Sequence, residues 1–287
     1  MAVIEVRDLR MRYGDVDVLA GVDFTVAKGE VVTLLGPNGA GKTTTVEILE
    51  GFRLRSAGEV TVLGVDPARG DERWRVGLGI VLQSWRDHRR WRVGQLLRHL
   101  ARYYVPYRAP YDVDELIASV GLTDLVNRKI GTLSGGQRRR LDVAIGVVGR
   151  PDLLFLDEPT AGLDPEARRD FHDLVHRLSD MDGTTVLFTT HDLDEAEKLA
   201  DRIMILAGGH IVADGSADEL ARRVSTRAEV RWTRDGERFV HPSDDATRFV
   251  RDLFAQHGDR IGDLEVRRAS LEDTYMKMIR EHETVPA

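Results

Sequence analysis

The sequence predicts an α/β fold in which a parallel sheet has helices on both faces. Four short apolar runs, at 31–35, 78–82, 153–156 and 185–189, are rich in Val, Ile, Leu and Phe. Continuous apolar runs indicate strands that are covered on both faces, as in parallel sheets flanked by helices. An alternating N-terminal pattern and a helical pattern within residues 94–149 predict two additions to this sheet.

The N-terminal stretch predicts an antiparallel β subdomain. Apolar residues alternate with polar ones around Ile4 and Val6, and the alternation returns at 22–26. This period is typical of half-buried strands. The insert at about 94–149 follows the helical period instead and predicts a helical subdomain, with apolar residues at Leu96, Leu97, Leu100, Leu116, Ile117 and Val120.

The C-terminal part predicts a closing hairpin and a small α/β appendage. A helix at 193–200 leads to two strand-like runs around a Gly208-Gly209 turn. Beyond Val224 the pattern changes, and the predicted elements are a strand at 228–233, a helix at 246–256, a strand at 264–267 and a helix at 271–279. We therefore expect a main domain at 1–222 and an accessory domain at 223–287.

The composition excludes several classes of protein. The chain has 287 residues and no cysteine, which excludes disulfides, thiol catalysis and cysteine-ligated zinc. Its formal net charge of −7 argues against a general nucleic-acid binder, because phosphate contacts need a concentrated basic face. The sequence has neither an apolar run of about eighteen residues nor a signal-peptide pattern. We therefore expect a cytosolic protein.

A glycine-rich motif follows the first apolar run. Residues 36–43 read Gly-Pro-Asn-Gly-Ala-Gly-Lys-Thr and match G-x-x-x-x-G-K-[ST] between a predicted strand and a predicted helix. Successive backbone N–H groups and the helix N-terminus form an anion cradle. Lys42 would neutralise the outer phosphates, and the Thr43 hydroxyl would be available to Mg²⁺. The motif predicts a P-loop NTPase core that binds ATP.

The other three apolar runs also lead into residues suited to phosphate chemistry. Gln83 follows the second run, Asp157 and Glu158 the third, and His191 the fourth. Because ligands bind beyond the carboxyl ends of parallel strands, these side chains should meet. Asp157 would hold Mg²⁺ directly or from the second shell, and Glu158 would orient or deprotonate the attacking water. His191 would donate a hydrogen bond to the terminal phosphate.

Each of these residues, taken alone, also has a structural explanation. Gln83 could be a surface polar residue, and His191 a helix-capping or core histidine. Asp157 and Glu158 could be the acidic start of a helix. Tyr13 could pack in the antiparallel sheet or stack on adenine. The spacing and order of the segments favour a shared site.

A second helix start has the features of an anion site. Ser134 is a suitable N-cap, and Gly135 and Gly136 leave backbone N–H groups approachable. The three arginines at 138–140 occupy the first turns, where positive charge opposes the helix dipole. They are explained either by a solvated basic face or by an N-terminus that receives an anion brought by another molecule.

In this order the motifs resemble those of the nucleotide-binding subunit of the ABC transporter superfamily, over residues 3–220. The resemblance implies that 36–43 is Walker A, 133–137 the signature, 153–158 Walker B and 161–164 the D-loop. Gln83 would be the Q-loop residue and His191 the switch histidine. The motifs and the resemblance together give three sets of site residues. The catalytic set is Glu158, His191 and Gln83. The Mg²⁺ set is Thr43, Gln83 and Asp157. The ATP-binding set is Tyr13, Gly36, Pro37, Asn38, Gly39, Ala40, Gly41, Lys42, Thr43, Thr44, Ser134, Gly135, Gly136, Gln137 and Asp164.

The resemblance also implies partners. In this family two subunits close head to tail, so that each ATP lies between the glycine loop of one and the signature of the other. We therefore expect a homodimer on ATP binding, a separate membrane permease and no nucleic acid. The segment 269–275, Ala-Ser-Leu-Glu-Asp-Thr-Tyr, is similar to the closing element of drug-exporter ATPases of the daunorubicin-resistance type.

The segment 84–92 departs from the family pattern because it is basic and aromatic. In the family this segment faces the permease's coupling helix. The departure therefore indicates either an acidic partner surface or a solvated arginine-rich loop.

These observations predict an ATP-hydrolysing subunit of an ABC exporter, cytoplasmic and held at the inner face of the cell membrane by its permease. One alternative is a soluble ABC-type ATPase in translation or DNA repair. The single set of motifs, the acidic balance and the lack of coiled-coil or zinc-cysteine features argue against it. A low-turnover regulatory ATP-binding module is another alternative, which only an ATPase assay separates.

Overall fold

The computed structural model describes residues 1–82, 88–224, 228–267 and 271–283. Contacts between residues divide the chain into two compact units, Met1–Val212 and Ala213–Ala287. The domain boundary expected after residue 222 stays a prediction.

The elements of the first unit alternate between strands and helices. Its strands are β1 (Ala2–Tyr13), β2 (Val16–Ala27), β3 (Val31–Leu35), β4 (Ala57–Val62), β5 (Leu78–Val81), β6 (Leu153–Asp157), β7 (Thr185–Thr190) and β8 (Arg202–Ala207), and β9 (His210–Gly215) runs across the boundary after Val212. Its helices are α1 (Lys42–Leu49), α2 (Glu72–Val76), α3 (Val93–Tyr104), α4 (Val113–Ser119), α5 (Gly135–Val147), α6 (Pro165–Asp182) and α7 (Leu193–Leu199).

A six-stranded sheet forms the centre of this unit, in the order β5-β6-β7-β3-β8-β9. Neighbouring strands from β5 to β8 are parallel. Every residue of β3 and β7 is buried, as continuous apolar runs predict. The predicted parallel sheet is confirmed, and the carboxyl ends of its four predicted strands lie along one edge.

A three-stranded antiparallel sheet, in the order β2-β1-β4, forms the second layer of strands. The N-terminal alternation predicts β1 and β2 correctly, but β4 is an additional strand. Gly58 in β4 has a φ of +91°, and a β-carbon there would lie 2.2 Å from the Asp8 carbonyl oxygen. The strand can approach β1 so closely only because this residue is glycine.

The helical insert lies between β5 and β6 in the chain and consists of α3, α4 and α5. Its core is apolar, with Leu97, Ile117 and Leu141 almost completely buried. The predicted helical subdomain is confirmed. Its last helix, α5, begins beside the signature motif.

The second unit is a small α/β structure. Its elements are α8 (Ala217–Val224), β10 (Ala228–Arg234), β11 (Glu237–Ser243), α9 (Ala246–His257), β12 (Ile261–Arg267) and α10 (Leu271–Glu283). The sheet order is β11-β10-β12, and Val230, Trp232 and Leu253 form its core. The sequence pattern does not predict β11, which is an edge strand that is mostly exposed and contains Pro242.

Candidate functional site

The glycine loop joins β3 to α1 in a conformation that requires glycine. Gly39 and Gly41 have φ angles of +85° and +102°. A β-carbon at Gly36 would lie 2.4 Å from the Leu206 carbonyl oxygen. Lys42, the first residue of α1, is only 5% exposed, and its Nζ donates hydrogen bonds to the carbonyl oxygens of Gly36 and Pro37 at 2.9 and 3.1 Å. The Lys42 ammonium therefore stabilises this loop conformation through hydrogen bonds to the loop's own carbonyl oxygens.

Lys42 is a buried cation beside two carboxylates. Burial lowers the pKa of its ammonium, and the charges of Glu158 and Asp157 act in the opposite direction. The Lys42 Nζ lies 3.8 Å from Glu158 Oε1. A triphosphate bound on the loop would place negative charge next to this partly desolvated ammonium. Charge-assisted hydrogen bonds between the two would be strong in such an environment.

Thr189, near the end of β7, forms hydrogen bonds that hold the end of β6 in place. Its Oγ1 donates to Asp157 Oδ1 at 2.6 Å and accepts from the backbone N–H of Glu158 at 3.0 Å. Glu158 has a φ of +42°, in the left-handed region that non-glycine residues rarely adopt. Such a conformation costs roughly 1–2 kcal/mol, and strain of this kind is concentrated at functional sites. The turn follows directly on the buried strand β6.

His191 follows β7 and approaches the same carboxylate. Its Nδ1 lies 3.4 Å from Glu158 Oε1, and its side chain is 53% exposed. Asp192, not His191, caps α7, so the capping and core explanations of His191 are wrong. The helix after Asp157 begins only at Pro165, so Asp157 and Glu158 are not the acidic start of a helix. The structure brings Lys42, Glu158 and His191 together as the strand order predicts.

The residues at this edge fit a magnesium–nucleotide ligand. Thr43 is exposed in the first turn of α1, and Thr44 beside it is partly exposed. Within the ranges that the structure describes, no group of three or more His, Asp or Glu forms a cation cage. Mg²⁺ commonly takes one or two protein oxygens together with substrate phosphates, which matches Thr43 and Asp157.

Glu50, directly after α1, is a second buried carboxyl group near this edge. Its side chain is 4% exposed. Burial is the main cause that raises the pKa of Glu50 to about 8, and the nearby charges of Asp157 and Glu47 add to it. Glu50 therefore carries a proton near neutral pH.

Two members of the expected site stay predictions. Gln83 lies outside the described residues. Tyr13, at the end of β1, is 41% exposed, and the Arg53 guanidinium carbon lies 5.4 Å from its ring centroid. Arg53 is in turn held by Glu47, at 2.6 Å. Stacking of Tyr13 on adenine stays a prediction.

The signature residues form the N-terminus of α5. Ser134 and Gln137 make a capping box, in which the Gln137 N–H donates to Ser134 Oγ at 3.3 Å and the Ser134 N–H donates to Gln137 Oε1 at 3.0 Å. The predicted N-cap is confirmed. Ser134 and Gly135 are exposed, and nothing lies within 4 Å of a β-carbon placed on Gly135. Backbone N–H groups here are accessible to a ligand.

Asp164 begins α6 beside the signature. Its carboxylate accepts hydrogen bonds from the N–H groups of Glu166 and Ala167 at 3.1 and 2.9 Å. A β-carbon on Gly136 would lie 3.1 Å from that of Ala167. In the described part of the chain, no hydrogen bond or ion pair of residues 134–137 reaches the glycine loop. These bonds therefore do not join the glycine loop to the signature within one chain, and we call the two regions half-sites.

The arginines at 138–140 correct a sequence-based expectation. Arg138 pairs with Asp142 at 2.8 Å, and Arg140 pairs with Asp170. Arg139 is only 7% exposed and donates to backbone carbonyl oxygens. The solvated basic face is therefore wrong for Arg139. The other explanation, that the N-terminus of the helix receives an anion brought by another molecule, stays a prediction.

The comparison with known proteins decides the family. The family model described as ABC transporter matches residues 19–161. A daunorubicin resistance ATP-binding protein of Streptomyces coeruleorubidus is 42% identical over 219 residues, which are 76% of this chain and 69% of that protein. The chain belongs to the ABC transporter family of ATP-binding proteins. A Nod factor export ATP-binding protein I of Cupriavidus pinatubonensis is 38% identical over 223 residues, covering 76% of this chain and 68% of that protein.

A solved structure supports the same family over nearly the whole chain. The ATP-binding subunit of an ABC transporter matches with a TM-score of 0.71 and 25% identity, covering 96% of this chain and 99% of that one. The ABC protein described here is therefore an ATP-binding subunit that hydrolyses ATP, and neither alternative class is favoured. None of the helices within the described residues has both the length and the apolar character needed to cross a bilayer.

Sequence reasoning missed several residues that support this site. Thr189 joins β6 to β7, and Arg139 joins α5 to the strand ends. Glu195, 2% exposed, accepts a hydrogen bond from Thr190. Burial raises the pKa of Glu195, while hydrogen bonds from Thr190 and Thr160 lower it. A threonine at the end of a buried strand is a usable signal, but a glutamate in a first helical turn resembles ordinary dipole compensation.

Proposed function

We propose that this ABC subunit powers export through a separate membrane permease, as one of two identical copies that close around ATP. Each ATP would lie between the glycine loop of one copy and the signature of the other. The observation that carries this proposal is the separation of the two half-sites within one chain. The exposed capped N-terminus of α5 offers N–H donors, and residues 134–137 have no described bond to the glycine loop of the same chain.

The proposed chemistry follows from the contacts at the strand ends. The glycine loop and Lys42 would hold the outer phosphates, and Thr43 and Asp157 would hold Mg²⁺. Mg²⁺ held there would offset the negative charge that develops on the phosphates. The Glu158 carboxylate accepts the proton of the attacking water, since it stands at the same edge as Lys42. His191, half exposed beside Glu158, donates to the terminal phosphate.

The direction of transport is proposed from the relatives. One is named for daunorubicin resistance and another for Nod factor export. We place this chain with them as an exporter subunit, cytoplasmic and peripheral to the membrane through its permease. The transported substrate would be chosen by that permease.

We propose that the surface of α3 contacts the permease. Residues 88–110 contain six arginines and no acidic residue, in a chain whose net charge is −7. A groove of about 420 Å³ on this surface is lined by Trp91, Arg92, Arg98, His99 and Arg102, among others. Arg98 already pairs with Asp114. The remaining excess of arginines fits an acidic permease segment, and the Trp91 and His99 rings, with centroids 5.0 Å apart, offer an aromatic contact.

Steady-state hydrolysis tests the enzymatic part of the proposal. Purified protein should release phosphate from ATP with Mg²⁺ present and stop when Mg²⁺ is chelated by EDTA. Turnover that does not respond to EDTA would contradict the assignment of Thr43 and Asp157. Absence of turnover under all conditions, with ATP bound, would favour a regulatory module instead.

Co-purification tests the partner. The tagged chain, expressed together with a candidate permease, should capture that permease from detergent extracts. Reversing the charge of the groove with Arg98→Glu and Arg102→Glu should abolish capture without changing ATP hydrolysis by the isolated subunit. Capture by the charge-reversed variant at the level of the unchanged protein would remove the groove from the proposal.

A further inference from the structure

We propose that Arg139 is a positioning residue that ties the signature helix to the backbone on both sides of Glu158. This inference rests on the proposed role of Glu158 in activating water. Arg139 lies in α5, five positions after Ser134, so it belongs to the element that would meet the ATP of the second copy.

The contacts of Arg139 reach two separate strand ends. Its Nε donates to the Pro159 carbonyl oxygen at 2.6 Å, and its Nη2 donates to the Asp157 carbonyl oxygen at 3.3 Å. Its Nη1 donates to the Leu82 carbonyl oxygen at 2.7 Å. One guanidinium group therefore holds the residues before and after Glu158 together with the residue that precedes Gln83 in the sequence.

The Arg139 guanidinium is a buried charge that donates to uncharged carbonyl oxygens. Among the described residues, no carboxylate lies within ion-pair distance of the Arg139 guanidinium. Burial lowers the pKa of Arg139, and the more distant charges of Asp142, Asp157 and Glu195 oppose that effect. A buried cation held mainly by carbonyl oxygens carries a large desolvation cost. Packing alone does not explain an arginine at this position, because an apolar side chain would be buried without this cost. Val143, one turn further along α5, is such a side chain and is completely buried.

The planar guanidinium group can hold several backbone carbonyl groups in fixed positions, which an apolar side chain cannot do. Its five N–H donors have a fixed fork geometry, so they hold several acceptors in one plane. Two of the acceptors flank Glu158, whose backbone is in the left-handed region. A shift of α5 relative to the sheet edge would therefore move the backbone on both sides of Glu158. Arg139 makes the position of the Glu158 carboxylate depend on the position of the signature helix.

Substitution of Arg139 should separate binding from catalysis. In the full chain, Arg139→Met keeps an unbranched side chain but removes the donors, and Arg139→Lys keeps the charge but removes the fork. We expect kcat for ATP hydrolysis to fall about ten- to hundredfold in both, the loss typical of a misplaced catalytic group. KM and the affinity for ATP, measured with a fluorescent ATP analogue, should stay within about twofold.

A matched control lies one residue further along the same helix. Arg140 is partly buried and pairs with Asp170, but none of its described bonds reaches the strand ends. Arg140→Met should keep the kcat of the unchanged protein. In a Glu158→Gln background, Arg139→Met should still dimerise on ATP, because the capping box of Ser134 and Gln137 is intact.

Three results would overturn the inference. One is an unchanged kcat in folded Arg139→Met or Arg139→Lys. Another is a loss of kcat that is matched by an equal loss of ATP affinity, which a general structural defect would produce. The third is failure of both variants to fold by circular dichroism, which would make Arg139 a stability residue. Normal turnover by Glu158→Gln is a different result, since it would remove the proposed role of Glu158 itself.

Discussion

The two half-sites of this ABC subunit differ in how far one chain completes them. In the glycine-loop half, Lys42 is buried, bonded to loop carbonyl oxygens and close to the Glu158 carboxylate. In the signature half, the side chains of Ser134 and Gln137 accept hydrogen bonds from each other's backbone, and a β-carbon on Gly135 would face open space. The first half is organised to hold a triphosphate by itself. The second presents donors for which the described chain provides no anion.

This difference predicts which substitutions should change ATP binding and hydrolysis within one copy and which should change the association of two copies. Residues of the glycine-loop half should alter binding and hydrolysis directly. Residues of the signature half should leave ATP binding by a single copy intact and should alter association of the closed pair.

Replacement of the Glu158 carboxylate should have the largest effect. Glu158→Gln removes the proposed proton acceptor, and general-base catalysis contributes about 10²–10⁴-fold, so phosphate release should fall by that factor. ATP binding should persist because Lys42 and the loop are unchanged. Phosphate release and ATP binding are measured on the same sample, with Glu59→Gln on the exposed surface of β4 as the control. Normal turnover would exclude Glu158 as the base.

Removal of the Lys42 ammonium should have the next largest effect. Lys42→Ala deletes charge-assisted hydrogen bonds to phosphate, each worth about 1.5–3 kcal/mol, so ATP should bind about ten- to a hundredfold more weakly. Titration calorimetry with ATP measures this change. The exposed Lys28→Ala should bind ATP normally. Undiminished binding by Lys42→Ala would contradict the cradle.

The buried carboxyl of Glu50 should make stability depend on pH. The pKa of Glu50 is raised to about 8 from 4.5, so between these values the folded state keeps a proton that the unfolded state has lost. Its contribution is therefore complete below the lower value and is lost as pH rises through the upper one, by up to about 1.4 kcal/mol per pH unit.

Glu50→Gln should flatten that dependence in the nucleotide-free protein. Urea unfolding at several pH values between 5 and about 8 measures the slope. The exposed Glu59→Gln serves again as the control, since it should leave the slope unchanged. An identical slope in Glu50→Gln would show that another group titrates in this range.

Loss of the Ser134 cap should have the smallest effect on a single copy. Ser134→Ala removes the hydroxyl that accepts from Gln137, and such a loss costs about 1 kcal/mol of stability. ATP affinity of the glycine-loop half should not change. Urea unfolding and ATP titration check the two expectations. Weakened ATP binding by a monomer would mean that the half-sites are not separate.

The sequence predicts the parts of the site that lie in continuous segments. The glycine loop, the end of β6 and His191 each follow an apolar run, and parallel strand order brings such ends together. The sequence does not predict the roles of Arg139 and Thr189, because these roles depend on contacts between segments that are distant in the chain. Neither β4 nor β11 is predicted, because β4 contains Gly58, while β11 is mostly exposed and contains Pro242.

In the proposed mechanism, ATP joins two copies through their complementary half-sites. Size-exclusion chromatography with light scattering on Glu158→Gln measures this association, because bound ATP is then retained. We expect a monomer without nucleotide and a dimer with ATP, and we expect that adding Ser134→Arg to Glu158→Gln restores the monomer. A monomer at saturating ATP, or a dimer that forms equally well with Ser134→Arg, would contradict it.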